Sequence, residues 1–235
     1  MKKIFLYGLM FCATAFGFTS CNDDNDQLTD TRVTNYILLT VNGDEVVYVD
    51  ANSTYTDEGC TAEAGGQDVT SKVQTINPVD TKTIGPYIVT YRATNEDGFS
   101  SEASRYVYVG SPLVGTVSDG SYRQTYNGDG SPKAQVAWSG YNIEMLTDGN
   151  GLYWVEDLMG GYYEQRAGYG SRYAMNGYLQ VNADNTVDMV GGGGVPGWGD
   201  AYDEFTNGVF DPETNTISYC VTYAGMDFNV ILNLN

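Results

Sequence analysis

The stretch Gly85-Pro86-Tyr87-Ile88-Val89-Thr90-Tyr91-Arg92-Ala93-Thr94-Asn95 decides the fold class of this chain. Positions 87, 89, 91 and 93 place two tyrosines, a valine and an alanine on one face, and this period of two predicts a strand with one buried face. The strand ends at the turn sequence Asn95-Glu96-Asp97-Gly98. Ser104–Val109 follows as a second strand, so an antiparallel pair is expected at the centre of the first half of the chain.

Two shorter apolar segments precede this pair. Tyr36–Val41 and Val46–Val49 both have strand character, and Asn42-Gly43-Asp44 lies between them. Asn-Gly is a strong hairpin signal, so the two segments are predicted to pair with each other. Short strands at this regular spacing are typical of a β-sandwich.

Five ordered signatures run through residues 55–98. They are Tyr55–Ala62, Asp68–Thr70, Val79–Thr81, Gly85–Tyr91 and Ala93–Gly98. Together they resemble the bacterial surface immunoglobulin-like domain, which also occurs in pesticidal crystal proteins. The resemblance implies an immunoglobulin-like β-sandwich over residues 35–110 that serves as a spacer. Cys60 stands where the family usually has an aliphatic residue, which favours a buried structural thiol.

The second half, residues 111–235, begins where Ser111-Pro112 interrupts the last strand and the composition shifts to glycine and tyrosine. Glycine and asparagine turns separate its strand patterns, which predict a second antiparallel β-sandwich or a partly closed barrel. Val155–Gly161 is ambiguous, and Gly191–Asp200 is too glycine-rich for a strand interior. The predicted strands are Gly120–Tyr126, Ala134–Tyr141, Ile143–Thr147, Leu152–Val155, Tyr178–Val181, Thr186–Val190, Gly208–Phe210, Thr216–Tyr223 and Asp227–Leu234.

Three stretches of this half carry a second resemblance: Tyr153–Tyr163, Gly168-Tyr169-Gly170 and Phe210–Tyr219. They resemble the C-terminal domain that follows such immunoglobulin-like modules in surface lipoproteins. The resemblance implies an association with starch-utilisation-like glycan import systems. It implies no defined activity, because the family supplies no functional motif.

The chain begins with the three parts of a secretory signal. Lys2 and Lys3 precede the apolar run Ile4–Phe18, and Thr19-Ser20 lead into Cys21. This arrangement resembles the lipobox of bacterial lipoproteins, which implies a signal peptide over residues 1–20, lipidation of Cys21 and a polar tether over residues 21–34. The alternative is an uncleaved anchor, but the run is shorter than the roughly 20 residues that a helix needs to cross a bilayer.

The acidic segment Asn22–Asp26 directly follows the lipidated cysteine. It resembles the export signal on surface-exposed lipoproteins of gut-type Gram-negative bacteria, and the alternative is a plain solvated tether. The resemblance implies a chain that is held in the outer membrane by acyl chains and faces the cell exterior.

Composition excludes several classes of function. The net charge is −19, so the chain repels nucleic acid. Histidine is absent, which removes Ser-His-Asp triads, Cys-His pairs and His-ligated zinc. The cysteines lack CxxC spacing, and the Asn127–Gly130 and Asp148–Gly151 turns lack the calcium-loop frame. We therefore predict neither metal nor cofactor, and no enzymatic activity.

The aromatic residues near the middle of the second half are the best lead to a ligand. Aromatic rings offer flat apolar faces for the apolar faces of sugar rings, and acids bind sugar hydroxyls. Trp198 follows Gly191–Gly197 and is predicted to lie on a loop. The alternative is that these rings belong to the core. The predicted glycan-binding residues are Trp198, Tyr162, Tyr163, Tyr169, Tyr202 and Asp200.

Three hypotheses of function follow. The first is an outer-membrane-anchored surface lipoprotein whose distal β-domain binds polysaccharide. The second is a structural or protein-interaction lipoprotein that docks to an outer-membrane transport complex. The third is a glycoside hydrolase, which would need two carboxylates facing each other across a cleft. Its candidate acids are Glu156-Asp157 and the group Asp200, Asp203 and Glu204.

Overall fold

The computed structural model describes residues 33–234. The predicted signal peptide, the predicted lipidation site Cys21 and all but the end of the predicted tether lie outside the described residues. Within residues 33–234, no helix is both long and apolar enough to cross a membrane.

The first half of the described chain is a sandwich of two small sheets. One sheet has the order β1-β3-β4 and the other β2-β7-β6-β5, in which β2 runs parallel to β7 and the other pairs are antiparallel. A short 3-10 turn, Thr70–Lys72, connects β4 to β5. The strands are β1 (Leu38–Val41), β2 (Val46–Val49), β3 (Cys60–Ala64), β4 (Gln67–Asp68), β5 (Gln74–Ile76), β6 (Gly85–Thr94) and β7 (Ser100–Val109).

The core between these sheets follows the period of two in β6. Val89, Tyr91 and Ala93 are buried and pack against residues of the facing sheet, as predicted. The predicted hairpin between β1 and β2 is wrong, because β1 pairs with β3 while β2 pairs with β7 of the other sheet. Gly43 has a φ of 73°, and the turn at Asn42-Gly43 carries the chain from one sheet to the other.

An ion pair lies inside this first sandwich. The Arg105 guanidinium is 1% exposed and pairs with the Asp57 carboxylate. Its Nε also donates to the carbonyl of Asp44 at 2.9 Å. The hydroxyls of Tyr91 and Tyr55 donate to Asp57 at 2.7 and 3.0 Å. Burial alone would raise the pKa of Asp57, but these hydrogen bonds and the Arg105 charge lower it below the ordinary value.

The second half contains two larger sheets. The seven-stranded sheet has the order β11-β10-β20-β19-β18, with β9 paired to β20 and β12 paired to β9, and the six-stranded sheet has the order β17-β16-β15-β14-β13-β8. The strands are β8 (Ser111–Pro112), β9 (Val117–Ser118), β10 (Ser121–Tyr126), β11 (Pro132–Trp138), β12 (Tyr141–Asn142), β13 (Met145–Thr147), β14 (Leu152–Val155), β15 (Asn176–Val181), β16 (Val187–Val195), β17 (Asp200–Ala201), β18 (Glu204–Asp211), β19 (Thr216–Tyr223) and β20 (Met226–Asn233).

These two sheets enclose one apolar core. Val155 and Leu179 from the six-stranded sheet pack in the same cluster as Val221 and Phe228 from the seven-stranded sheet. A bridge between Thr186 and Val209 joins the two sheets at one edge. The second half is therefore an antiparallel sandwich with one partly closed edge, which agrees with the predicted all-β fold.

The glycine-rich segment is part of a strand, contrary to the sequence expectation. β16 runs through Gly191–Gly194 and pairs with β15, with two register shifts along the pair. Gly192 has a φ of 82°, and a Cβ there would lie 2.5 Å from the Cα of Gly177. The two strands approach too closely for side chains, so glycine permits the bulges rather than ending the strand.

A buried junction connects the two sandwiches. Ile84 precedes β6 and packs with Leu146 and Trp154 of the second half. The Tyr178 hydroxyl donates to the Ile84 carbonyl at 2.9 Å. Residues 35–234 accordingly form one compact unit.

The acidic turns Asn127–Gly130 and Asp148–Gly151 are held by their own side chains. Asp129 accepts hydrogen bonds from the backbone and hydroxyl of Ser131, and Asp148 accepts from the backbone of Asn150 and Leu152. Among the described residues, no group of three or more acidic or cysteine side chains could hold a metal ion. Turn chemistry therefore explains these acids.

Replacing Arg105 with methionine should lower the free energy of unfolding by about 3–5 kcal/mol, because it leaves the Asp57 carboxylate without its cationic partner in the interior. Arg92→Met is the matched control, since Arg92 forms an exposed pair with Glu102 at 3.6 Å. That change should cost less than about 1 kcal/mol. Urea denaturation measures both variants, and equal losses would contradict the structural role of Arg105.

Candidate functional site

A buried carboxylate organises the loop that carries most of the candidate residues. Asp157 is completely buried, and its two oxygens accept the backbone N–H groups of Met159, Gly161 and Met175 at 2.9, 3.0 and 3.1 Å. Burial raises the pKa of Asp157 to about 6, although these three donors act in the opposite direction. Because Met175 lies at the far end of the loop, the hydrogen bonds of Asp157 connect the beginning of the loop to its end.

Two glycines then turn the chain into a short π-helical segment, Tyr162–Arg166. Gly160 and Gly161 have φ angles of 60° and 81°. The carbonyl of Gly160 accepts the indole N–H of Trp138 at 2.8 Å, which fixes this turn against the core. π-helical turns of this kind are frequent at functional sites.

The π-helical segment directs its first two tyrosines to different places. Tyr162 is 6% exposed and packs against Trp138 and Phe228, with ring centroids 5.0 and 5.3 Å away. Tyr162 is therefore a core residue and cannot stack on a sugar, contrary to the prediction for this position. Tyr163 is half-buried, and its ring centroid lies 4.8 Å from that of Trp198 and 6.0 Å from that of Tyr169.

An aromatic cluster surrounds Trp198, which lies in the turn between β16 and β17 as expected. Its ring centroid lies 4.8 Å from those of Tyr163 and Tyr173 and 5.9 Å from that of Tyr169. Trp198 is 43% exposed and Tyr169 is 55% exposed. These four rings, Trp198, Tyr163, Tyr169 and Tyr173, form the Trp198 cluster.

Close backbone contacts position the Trp198 turn. The N–H of Gly197 donates to the carbonyl of Arg172 at 2.6 Å, and the N–H of Gly199 donates to that of Val195 at 2.8 Å. A Cβ at Gly197 would lie 2.5 Å from the ring of Tyr173. Glycine at 197 therefore lets Tyr173 pack against the turn.

A buried tyrosine supports Trp198 from below. The ring of Tyr223 is 6.0 Å from that of Trp198 at an interplanar angle of 24°. Its hydroxyl donates to the Asp200 carboxylate at 2.8 Å. Burial and this hydrogen bond raise the pKa of Tyr223. Asp200 is exposed and is held beside the Trp198 cluster by this contact.

Tyr169, Tyr173 and Trp198 line an open hollow of ≈ 370 Å³. Their rings are steeply inclined to one another, by 67° between the tyrosines and 64° between Tyr173 and Trp198. Such a hollow offers apolar faces on more than one side, with the Asp200 carboxylate nearby as a hydrogen-bond acceptor.

The structure thus brings together four of the six predicted residues: Trp198, Tyr163, Tyr169 and Asp200. Tyr202 is half-buried and lies over Gly193, where a Cβ would be 2.3 Å from its ring, so it supports β16. Tyr223 was not predicted, because its position in a regular strand indicated only a core residue. Tyr173 also belongs to the cluster and is not among the six predicted residues.

The candidate acids of the hydrolase hypothesis have separate surroundings. Asp157 is buried in the core, Asp200 accepts a hydrogen bond from Tyr223, and Glu204 lies on β18 of the other sheet.

Glu164 was not among the predicted acids. It is half-buried and next to Tyr163 in the chain, and its Oε2 is buried without a hydrogen-bond partner among the described residues. Burial, followed by the charges of Glu156 and Asp157, raises the pKa of Glu164 to about 7.

Comparison with known proteins identifies both halves of the chain. The family model described as bacterial surface protein, Ig-like domain, matches residues 39–109, and a family model for a C-terminal domain matches residues 113–234. The crystal structure of the lipoprotein BT2262 from Bacteroides thetaiotaomicron is similar at 36% identity and a TM-score of 0.54, covering 84% of this chain and 100% of that chain. No curated protein sequence matches the chain.

A weaker structural match is to CBM51-2 in complex with GlcNAc and INT domains from Clostridium perfringens ZmpB. It has 18% identity and a TM-score of 0.27, and it covers 51% of this chain and 29% of that chain. A TM-score this low does not indicate a shared fold.

Replacing Glu164 with glutamine should change how stability depends on pH. Because the folded-state pKa of about 7 lies above the ordinary value of 4.5, the stability linked to protonated Glu164 is fully present below pH 4.5 and is lost as the pH rises through about 7. The free energy of unfolding of Glu164→Gln should match that of the wild type near pH 4 and exceed it by about 1–3 kcal/mol near pH 8.

Denaturation curves at a series of pH values measure this difference. Glu213→Gln is the control, because Glu213 is exposed in the turn after β18. Its curve should run parallel to that of the wild type. A constant difference between the wild type and Glu164→Gln across this pH range would contradict the placement of Glu164.

Proposed function

The chain belongs to the family of the Bacteroides lipoprotein, and on that premise we propose that it is a lipid-anchored surface protein whose C-terminal domain binds glycan at the Trp198 cluster. Lipidation of Cys21 would hold it in the outer membrane. The immunoglobulin-like domain is then the spacer, and the C-terminal domain is distal and faces the exterior.

The observation that carries this proposal is the exposure of Trp198 and Tyr169 around one hollow. Large aromatic rings are normally buried, so two half-exposed rings that share a hollow need an explanation. The rings contact one another, and Gly197 lets Tyr173 pack closely against the Trp198 turn. Ordered rings lose little conformational freedom when a flat apolar ligand binds.

Binding fits these side chains better than hydrolysis does. A glycosidase places two carboxylates on opposite sides of the scissile bond. Two acids adjoin the Trp198 cluster: the Asp200 carboxylate accepts the Tyr223 hydroxyl, and Glu164, next to Tyr163 in the chain, has its Oε2 buried. Asp157 has no exposed surface and holds backbone donors instead.

Native affinity electrophoresis against a panel of neutral and charged polysaccharides tests the proposal. A chain of residues 22–235 contains the whole compact unit of residues 35–234. At least one polysaccharide should slow its migration, and Trp198→Ala should weaken that binding about tenfold, because one ring face is lost.

Phe99→Ala is the matched control, since Phe99 is an equally exposed ring in the turn between β6 and β7, at 50%. This variant should bind like the wild type. If no polysaccharide slows the wild-type chain, the proposed function is wrong.

A second candidate function is docking to an outer-membrane transporter, and an apolar surface on the immunoglobulin-like domain favours it. Val46, Tyr106 and Ile88 lie side by side on β2, β7 and β6, and each is about half exposed. Tyr48 stacks on Tyr108 in the adjacent row, with centroids 5.1 Å apart. Contiguous exposed apolar surface of this kind often marks a protein interface.

Tyr106→Glu should abolish recovery of an outer-membrane transporter when the lipoprotein is purified from detergent-solubilised membranes, because a charge would enter the apolar contact. Thr94→Glu, which changes an exposed position on the same face of β6, should leave recovery unchanged. Equal transporter recovery with both variants, or none with the wild type, would refute docking through this face.

A further inference from the structure

The outer face of the seven-stranded sheet carries a second concave surface, which shares no lining residue with the hollow at Trp198. The strand register places one row of side chains straight across five neighbouring strands. In order from β11 to β18, the row consists of Gln135, Gln124, Asp227, Thr222 and Glu204.

A second row lies alongside the first. It contains Tyr122 of β10, Asn229 of β20, Cys220 of β19 and Thr206 of β18. The two rows, with Tyr126 at one end, line a groove of ≈ 550 Å³. Five strands span about 19 Å at the usual separation of about 4.8 Å, which is long enough for a short oligosaccharide.

The central side chains of this groove are held in place before any ligand binds. The Asp227 carboxylate accepts the hydroxyls of Tyr126 and Thr222, the latter at 2.8 Å. The hydrogen bond to Asp227 raises the pKa of Tyr126 to about 12. Gln124 Nε2 donates to the Ala134 carbonyl at 3.2 Å. Side chains fixed in this way form a prepared polar surface, because less conformational freedom remains to be lost on binding.

The chemistry of the lining selects the class of ligand. Amides and hydroxyls both donate and accept hydrogen bonds, as sugar hydroxyls do. The described residues that line the groove include two carboxylates, Asp227 and Glu204, and no lysine or arginine. Uncompensated carboxylates repel phosphate, sulfate and uronate groups, and the scarcity of apolar side chains does not suit a lipid or an apolar protein surface.

We propose that this groove is a binding site for a neutral oligosaccharide, with Asn229, Gln124 and Gln135 as its central hydrogen-bonding groups. The sugar would lie across the strands, with Tyr122 and Tyr126 of β10 beside it. This goes beyond the proposed function, because the groove needs no contribution from Trp198.

Affinity electrophoresis of residues 22–235 with neutral and acidic glycans separates the two sites. Asn229→Ala should weaken binding of a neutral glycan about fivefold, and adding Gln135→Ala should weaken it further, because each change removes one hydrogen-bonding group. Ser218→Ala is the matched control, since Ser218 is a half-buried polar residue of β19 outside the groove. It should bind like the wild type.

Thiol alkylation reports occupancy of the groove directly. Residues 22–235 contain two cysteines, Cys220 in the groove and Cys60 in the core of the first sandwich. A saturating neutral oligosaccharide should slow alkylation of Cys220 severalfold and leave Cys60 unchanged. The protection should persist in Trp198→Ala. Equal slowing of both thiols would reflect stabilisation of the whole fold and would overturn the assignment to the groove.

The outcomes for the two sites are distinguishable. If Trp198→Ala abolishes binding while the groove variants and Cys220 alkylation are unaffected, the groove proposal is wrong and the proposed function stands. If the groove variants lose binding and Trp198→Ala does not, the groove proposal stands and the proposed binding at the Trp198 cluster is wrong. Retention by acidic glycans alone, or Cys220 protection by a second copy of the chain without sugar, would also overturn the proposal.

Discussion

The buried carboxylate of Asp157 is the interaction on which the end of the second sandwich that carries the Trp198 cluster depends. Its three backbone donors come from both ends of a loop with little regular structure. A charge without solvent is costly, and hydrogen bonds to an ionised acceptor are among the strongest that a protein makes. The position of the Trp198 cluster follows from this anchor, because Tyr163, Tyr169 and Tyr173 all lie within the loop that Asp157 closes.

Much of the fold could be predicted because strand periodicity is local. Val46–Val49, Leu152–Val155 and Thr216–Tyr223 have the bounds expected from the sequence. Pairing is not local, and the errors arose there. Asn42-Gly43 has ideal hairpin chemistry, yet the strands on either side belong to opposite sheets. Gly191–Gly194 has poor strand chemistry, yet the close approach of β15 makes glycine necessary.

The candidate site was only partly predictable for the same reason. Clustered aromatics in the sequence identified Trp198, Tyr163 and Tyr169, but no sequence pattern separates buried Tyr162 from its surface neighbour, because a π-helical turn sets their directions. The polar groove on the seven-stranded sheet could not be predicted from the sequence. Its residues are scattered between positions 122 and 229, and only the register of five strands aligns them. A site formed by one loop can be recognised because its residues are close together in the sequence. A site formed by the pairing register of several strands cannot be recognised in this way.

The two described cysteines also affect the folding history of the chain. Both are free and buried, they belong to different sandwiches, and burial raises the pKa of each thiol. The thiolate is the form that exchanges with disulfides, so both thiols react more slowly in the folded protein than in the unfolded chain. The unfolded chain has no such protection, and a premature Cys60–Cys220 bond would join residues that belong to separate sandwiches. The Cys60–Cys220 bond can therefore form while the chain is still unfolded. Rapid folding of either sandwich prevents it, because it buries one of the two thiols.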